Sequence, residues 1–369
     1  MDQLQRDVER LLSLKEEQTK KNEAFKKAIA KLQLERPKDP YDYERIHFND
    51  ALVWKEMARR GIQLSFISDT QFVQATLGRH QELLIHGVIS NLIPYVDAVL
   101  LENKLYAKQW FEQNGYPVLK GQTFLPHERE KALLFAKEKL GYPVVIKPVK
   151  GSGGSFVFCD IRADEDLMKA YATLAEVSLQ PLLLEEFWEG AHDYRFFLIQ
   201  GKVLSVIRRT PPSVIGDGTS TLLQLIEKEN DRRMNPRRNC LCPIQVDVHC
   251  IKNQGFELEH VIAQGTSVLC RLNANVSMGA DCETCREEIH PSYFERISCL
   301  MKLFPRLPLL TVDCLIRNPS LPATNENFRI CEASCINPGL SLHTHPSKGM
   351  GDDIISPLVD LFFPETAHE

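Results

Sequence analysis

Pro143-Val144-Val145-Ile146-Lys147-Pro148 runs through Val149 into Lys150-Gly151-Ser152-Gly153-Gly154-Ser155, and then into Phe156-Val157-Phe158-Cys159. This is a short apolar strand carrying one lysine, a glycine-rich turn and a second strand. Such a turn lets backbone N–H groups approach an anion with no Cβ in the way, and Ser152 and Ser155 add hydroxyl donors. The glycines alone read more often as an ordinary hairpin turn. Lys147 favours phosphate, because a lysine inside an apolar run is poorly explained as core and well explained as an anion contact. The chain has no Gly-x-x-x-x-Gly-Lys-Ser/Thr and no strand-to-helix Gly-x-Gly-x-x-Gly, so neither a P-loop nor a Rossmann site is supported.

Matching acids lie far along the chain. Residues 309–316, Leu-Leu-Thr-Val-Asp-Cys-Leu-Ile, form a β-like run with Asp313 in its middle, and Phe328-Arg329-Ile330-Cys331-Glu332 is another that ends on an acid. Two acids on apolar strands need cations. Either nearby Arg and Lys pair with them, or they hold Mg²⁺, which prefers one or two carboxylates plus phosphate oxygens and water.

Between these segments, helical spacing is expected over 49–60, 103–114 and 127–140. Strands are expected over 62–66 and 182–184, with a hairpin of 194–199 and 202–208 around Gln200-Gly201. Helix followed by strand suggests an α/β unit over 39–118. Residues 4–32 carry a heptad seam, with Leu4, Val8, Leu11, Phe25, Ile29 and Leu32 apolar at its ends and a polar middle. That segment reads either as a coiled coil joining two copies or as one amphipathic helix on its own domain. The expected division is a helical extension over 1–38, the α/β region over 39–118, a lid with the glycine loop over 119–202 and a C-terminal subdomain over 203–369.

The 369 residues are 43% hydrophobic and 25% charged, which fits a soluble protein of roughly two to three domains. With 44 Lys and Arg against 49 Asp and Glu, the net charge of -5 argues against a dedicated nucleic-acid binder or a polybasic membrane-surface protein. The most apolar stretch, 86–101, is broken by Asn91, Pro94 and Asp97, short of the roughly 18 uncharged residues of a span. Residues 1–7 are of mixed charge with no apolar h-region, so the cytoplasm is the expected compartment. Eleven cysteines, an odd number, then suggest reduced thiols. Cys240-Leu241-Cys242 is too tight for a usual zinc knuckle, leaving Cys282 and Cys285 without a conventional second pair. The basic run 232–238 lacks the interleaved aromatic residues of a nucleic-acid surface.

Taken in order, Asn103-Lys104 with Lys108, YPVVIKPVKGSGG, LLLEEFWEGAHDYRFFL, RRTPPSVIGDGTSTLLQLI, RLNANVSMGAD, VDCLI, ICEASCINPGL and HTHPSKG resemble the ATP-grasp superfamily. The resemblance is strongest to the ATP-grasp half of bifunctional glutathione synthetases and to cyanophycin synthetase. It runs from about residue 49 to 364, with the heptad segment outside it. It implies an α+β ATP-grasp fold, in which two subdomains clasp ATP beneath a mobile glycine lid. Lys104 and Lys147 match the phosphate-contacting lysines, and Gly151, Ser152, Gly153 and Gly154 the phosphate-covering loop. Glu185, Glu186 and Phe187 match the hinge at the adenine edge, and Asp193 the acid on the ribose hydroxyls. Arg209 matches an arginine facing the reacting end, and Arg271 one that neutralises the transferring phosphoryl group. Asp313 and Glu332 match the ligands of one or two Mg²⁺ ions, with Mn²⁺ as an alternative. The family's Glu-x-Asn reads Glu332-Ala333-Ser334 here, with one residue inserted before Pro338, so Ser334 or Asn337 is the expected further ligand. The implied activity is ATP-dependent carboxylate–amine ligation through an acyl phosphate, on amino acids or peptides. The alternative is an ATP-binding regulatory module without turnover.

Overall fold

The structure is a computed structural model describing residues 48–67, 72–150, 156–177, 179–233 and 241–367. The heptad segment and the loop residues Gly151, Ser152, Gly153 and Gly154 lie outside the described residues. Helix α1 (Phe48–Arg59) buries Phe48, Ala51, Val53, Trp54 and Met57, a helical stripe, and the chain turns at Gly61 with φ 79. Strands β1 (Gln63–Ile67), β2 (Phe72–Leu77) and β3 (His80–Ile85) follow as an antiparallel meander. The region was expected to be α/β. Its sheet is antiparallel because the turn at Gly78-Arg79 is hairpin-length, too short for a parallel crossover.

Helices α2 (Tyr95–Glu102) and α3 (Lys104–Gln113) meet at Asn103, whose side-chain oxygen accepts from the N–H groups of Leu105 and Tyr106 at 3.1 Å and caps α3. The buried residues of α3 are Lys104, Ala107, Lys108 and Phe111, so two lysines one turn apart face inward. Next come β4 (Gly121–Phe124), α4 (Arg129–Phe135, continuing as a π turn to Leu140), β5 (Val144–Pro148), β6 (Phe158–Ile161), α5 (Asp164–Val177) and β7 (Leu182–Glu186). The four strands make one antiparallel sheet in the order β4-β7-β5-β6. Its own core includes Phe124, Val144, Ile146, Leu167, Tyr171, Leu182 and Leu184. Lys147 and Glu185 alternate onto its other face.

Strands β8 (His192–Ile199) and β9 (Lys202–Thr210) form the expected hairpin. After β10 (Ser213–Ile215), α6 (Leu222–Arg233), α7 (Val248–Asn253) and β11 (Ser267–Leu269), the chain adds β12 (Asp281–Thr284), α8 (Pro291–Leu300), β13 (Leu309–Ile316) and β14 (Phe328–Ser334). Helices α9 (Leu340–Thr344) and α10 (Ile355–Phe362) finish it. The second large sheet runs β12-β9-β8-β13-β14, so both strands of the hairpin belong to it, and the division expected after residue 202 passes through the hairpin turn. This sheet, α1, α3, α10 and the N-terminal meander share one continuous core, separate from that of the four-stranded sheet. Among the described residues, no helix is long and apolar enough to cross a membrane.

Phe196 is fully buried in that larger core with its ring centroid 6.5 Å from that of Tyr293. Phe196→Ala is therefore expected to destabilise the fold by about 3–5 kcal/mol, read as a fall in the thermal or urea midpoint.

Candidate functional site

The two large sheets face a cavity of about 960 Å³, lined by Lys104, Lys147, Glu185, Glu186, Phe187, Asp193, Arg209, Asp313, Glu332, Ser334 and Asn337 among others. Eleven of the expected site residues thus meet in one space. It is large enough for a nucleotide with a second ligand, at the upper end of small-molecule sites, roughly 300–1,000 Å³.

On the four-stranded sheet, Val145 lies opposite Glu185, so Lys147 is a diagonal neighbour of that acid. The Glu185 carboxylate is buried and clamped between the ammonium groups of Lys147 and Lys108. Burial opposes both charges, but each outweighs that cost for the other. The two lysines hold the Glu185 carboxyl below its ordinary range, and Glu185 holds Lys147 above its own. The sequence motif gives Lys108 no role of its own. Its signal was the i, i+4 spacing from Lys104, which puts both on one helix face. Glu186 accepts the Lys120 N–H at 2.9 Å, and the N–H of Phe187 donates to the Pro143 carbonyl at 3.1 Å, so this end of β7 is tied to its own sheet.

On the five-stranded sheet, three strands supply one charged network. Asp313 pairs in register with Arg195 on one side and Glu332 on the other, and Asp193 with Arg209. Arg195 grips Asp313 with two bonds, of 2.6 and 2.8 Å, and Arg209 reaches Asp313 at 2.8 Å and Asp193 at 2.6 Å. Although burial opposes ionisation, the two arginines hold Asp313 well below the carboxylate range. Burial and the neighbouring Asp313 charge push Asp193 up to about 6 despite Arg209. Arg195 was missed in the sequence. The alternation of 192–199 placed it on one face with Asp193, but only the register reveals its partner.

A β-bulge separates the Asp313–Glu332 pair from the Cys314–Ile330 pair and leaves Cys331 as the extra residue. Both Cys331 and Glu332 consequently line the cavity, and Lys104 lies 3.1 Å from Glu332. The donor set fits Mg²⁺: two hard carboxylates face each other directly across β13 and β14, and no group of three His, Cys, Asp or Glu forms a protein cage among the described residues. An ion held this way takes its remaining ligands from phosphate and water. The Ser334 hydroxyl oxygen accepts the N–H groups of Ile336 and Asn337 at 3.3 and 3.2 Å, which occupies both its lone pairs in a local turn.

Arg271 is not brought into the cavity with its neighbours Leu272 and Asn273. Its Nη1 donates to the Gln245 carbonyl at 2.9 Å, its buried Nε has no hydrogen-bond partner among the described residues, and burial lowers its pKa.

Residues 103–243 match the prokaryotic glutathione synthetase ATP-grasp domain. The fold is the ATP-grasp fold. Cyanophycin synthetase of Synechocystis sp. is 31% identical over 314 residues, covering 83% of this chain and 34% of that protein. The glutathione biosynthesis bifunctional protein GshAB of Streptococcus mutans is 27% identical over 333 residues, covering 88% and 43%. The crystal structure of a bifunctional glutathione synthetase from Pasteurella multocida aligns with a TM-score of 0.60 at 25% identity, covering 86% of this chain and 43% of that one. This ATP-grasp chain therefore spans between a third and a half of the length of these relatives.

The folded state holds the Asp193 proton more tightly than an unfolded chain does. That contribution is present below the ordinary carboxylate range and is lost as pH rises through about 6. Asp193→Asn removes it. The melting temperature of the variant relative to the parent should accordingly rise from about pH 5 to about pH 8.

Proposed function

We propose that the chain is an ATP-dependent carboxylate–amine ligase, acting on amino-acid or peptide substrates in the cytoplasm. A substrate carboxylate oxygen attacks the γ-phosphorus and ADP leaves. The amine nitrogen of the second substrate then attacks the acyl carbon, phosphate departs, and the nitrogen loses its proton as the amide bond closes. The observation that carries this reading is the opposition of Asp313 and Glu332 on one wall of the cavity to Lys147 on the other.

Lys147 and Lys104 would meet phosphate oxygens, and Lys108 would orient Lys147 through the shared Glu185. Arg209 supplies fixed positive charge where negative charge spreads, already oriented by two carboxylates. Asp313 and Glu332 would hold one or two Mg²⁺ ions, with Mn²⁺ able to take the same oxygen ligands. Asn337 would contribute its amide oxygen, while Ser334 shapes the turn that presents it. The ion would neutralise phosphate charge. Asp193 is assigned to the ribose hydroxyls, and Glu185 to Phe187 to the adenine edge. Gly151, Ser152, Gly153 and Gly154, outside the described residues, would cover the phosphates. The role assigned to Arg271 needs the guanidinium to leave the Gln245 carbonyl. Residues 4–32, also outside the described residues, would pair two copies.

The test is release of ADP and phosphate across a panel of amino acids and dipeptides. Turnover is expected only when acid and amine are both present, and Lys147→Ala or Glu332→Ala should each lower it by about 100-fold or more. Nucleotide binding with no turnover on any pair would instead make the chain an ATP-binding module.

A further inference from the structure

The segment 187–191 carries the chain from β7 of the four-stranded sheet to β8 of the five-stranded sheet. The two sheets have separate cores, so this crossover is one of two covalent connections between bodies that do not share an interior. Its first residues are fastened to the four-stranded side, where the N–H groups of Glu186 and Phe187 donate to the carbonyls of Lys120 and Pro143. On the other side Trp188 supplies a contact through its ring. The indole of Trp188 lies under two guanidinium groups, with the central carbons of Arg317 and Arg329 4.4 and 4.8 Å from its centroid.

Both arginines belong to the end of the β13–β14 pair. Arg329 is in register with Leu315, and the Arg317 N–H donates to the Asn327 carbonyl at 3.0 Å, so the two are diagonal cross-strand neighbours. They continue the face on which Asp313 and Leu315 line the cavity. Arg329 also donates to the carbonyls of Asn325 and Phe328. Two like charges against one ring repel each other, and the indole's negative π faces attract both. Trp188 itself lines the cavity directly beside Phe187.

We propose that Trp188 is a positioning residue for the nucleotide. Clamped by Arg317 and Arg329, it docks the crossover onto the sheet that carries Asp313 and Glu332, and so fixes the Glu186–Phe187 wall against the cavity floor. This rests on the ATP-binding reading of the site. The effect falls on nucleotide affinity rather than on the chemical step, because the ring of Trp188 packs on Arg317 and Arg329 and adjoins Phe187.

The experiment measures ADP affinity by calorimetry, and KM for ATP and kcat where turnover is found. Trp188→Ala should weaken ADP binding and raise KM for ATP by about ten-fold while kcat changes far less. Trp188→Phe, which keeps a ring face, should recover most of the loss. The double variant Arg317→Gln with Arg329→Gln should match Trp188→Ala, and combining all three should add little. Should Trp188→Ala fail to fold, the arginine pair at the strand ends carries the same test. A parent that binds ADP alongside variants that bind it equally well, or losses that simply add, would overturn the proposal alone. A parent that binds no nucleotide would overturn the functional reading and this inference together.

Discussion

The site depends on one carboxylate, Asp313, held by two arginines on neighbouring strands of the sheet. Charged groups at this depth are costly, several kcal/mol per ion in lost hydration. An apolar sheet face would be more stable, so the network is poorly explained as a device for stability. What it provides is placement. Arg195 and Asp313 face each other across β8 and β13, Asp193 and Arg209 across β8 and β9, and Glu332 meets Asp313 from β14. A slip of one residue in any of these pairings would turn a charge into the packed core on the far face. Register and site are thus the same constraint.

The four-stranded sheet repeats the device in a simpler form. Glu185 is one acid between two bases, as Asp313 is, and each carboxyl is driven below its ordinary range by the pair of cations that grips it. Both acids therefore stay ionised across the neutral range, and each fixes a cation beside the cavity: Lys147 in one case and Arg209 in the other. Lys108 reaches Glu185 from α3, which packs in the larger core, so this pair also spans the two bodies.

Much of this was legible in the chain because a charge inside an apolar strand has few innocent explanations. Lys147, Asp313 and Glu332 stood out for that reason, and the strand 309–316 has the bounds its pattern predicts. Arg195 did not stand out. It sits just before the apolar run Phe196–Ile199, and the identity of its partner is a long-range register that no local pattern encodes. The bulge at Cys331 was equally invisible, since two successive residues facing the cavity break the alternation by which faces are read. Ser334 illustrates a different limit. Its residue type allows a ligand, and only the turn at Ile336 and Asn337 shows that its lone pairs are already taken. The N-terminal meander was read as α/β because helix-then-strand looks the same in both classes until strand direction is known.

The ion pairs within the cavity also fit the proposed chemistry in a way that unpaired charges would not. Lys104 lies against Glu332, and Lys147 against Glu185. If a polyphosphate enters with Mg²⁺, Lys104 can exchange Glu332 for a phosphate oxygen, and Glu332 can exchange Lys104 for the metal, so that both stay paired. Each group is then kept in place before its ligand arrives by the one whose ligand arrives with it. Magnesium without nucleotide would face Glu332 still held by Lys104, and nucleotide without magnesium would leave Glu332 unpaired when it drew Lys104 away. Both half-filled states carry an uncompensated charge in a half-closed cavity, which is costly. On this arrangement metal and nucleotide would favour each other through the Lys104–Glu332 pair itself.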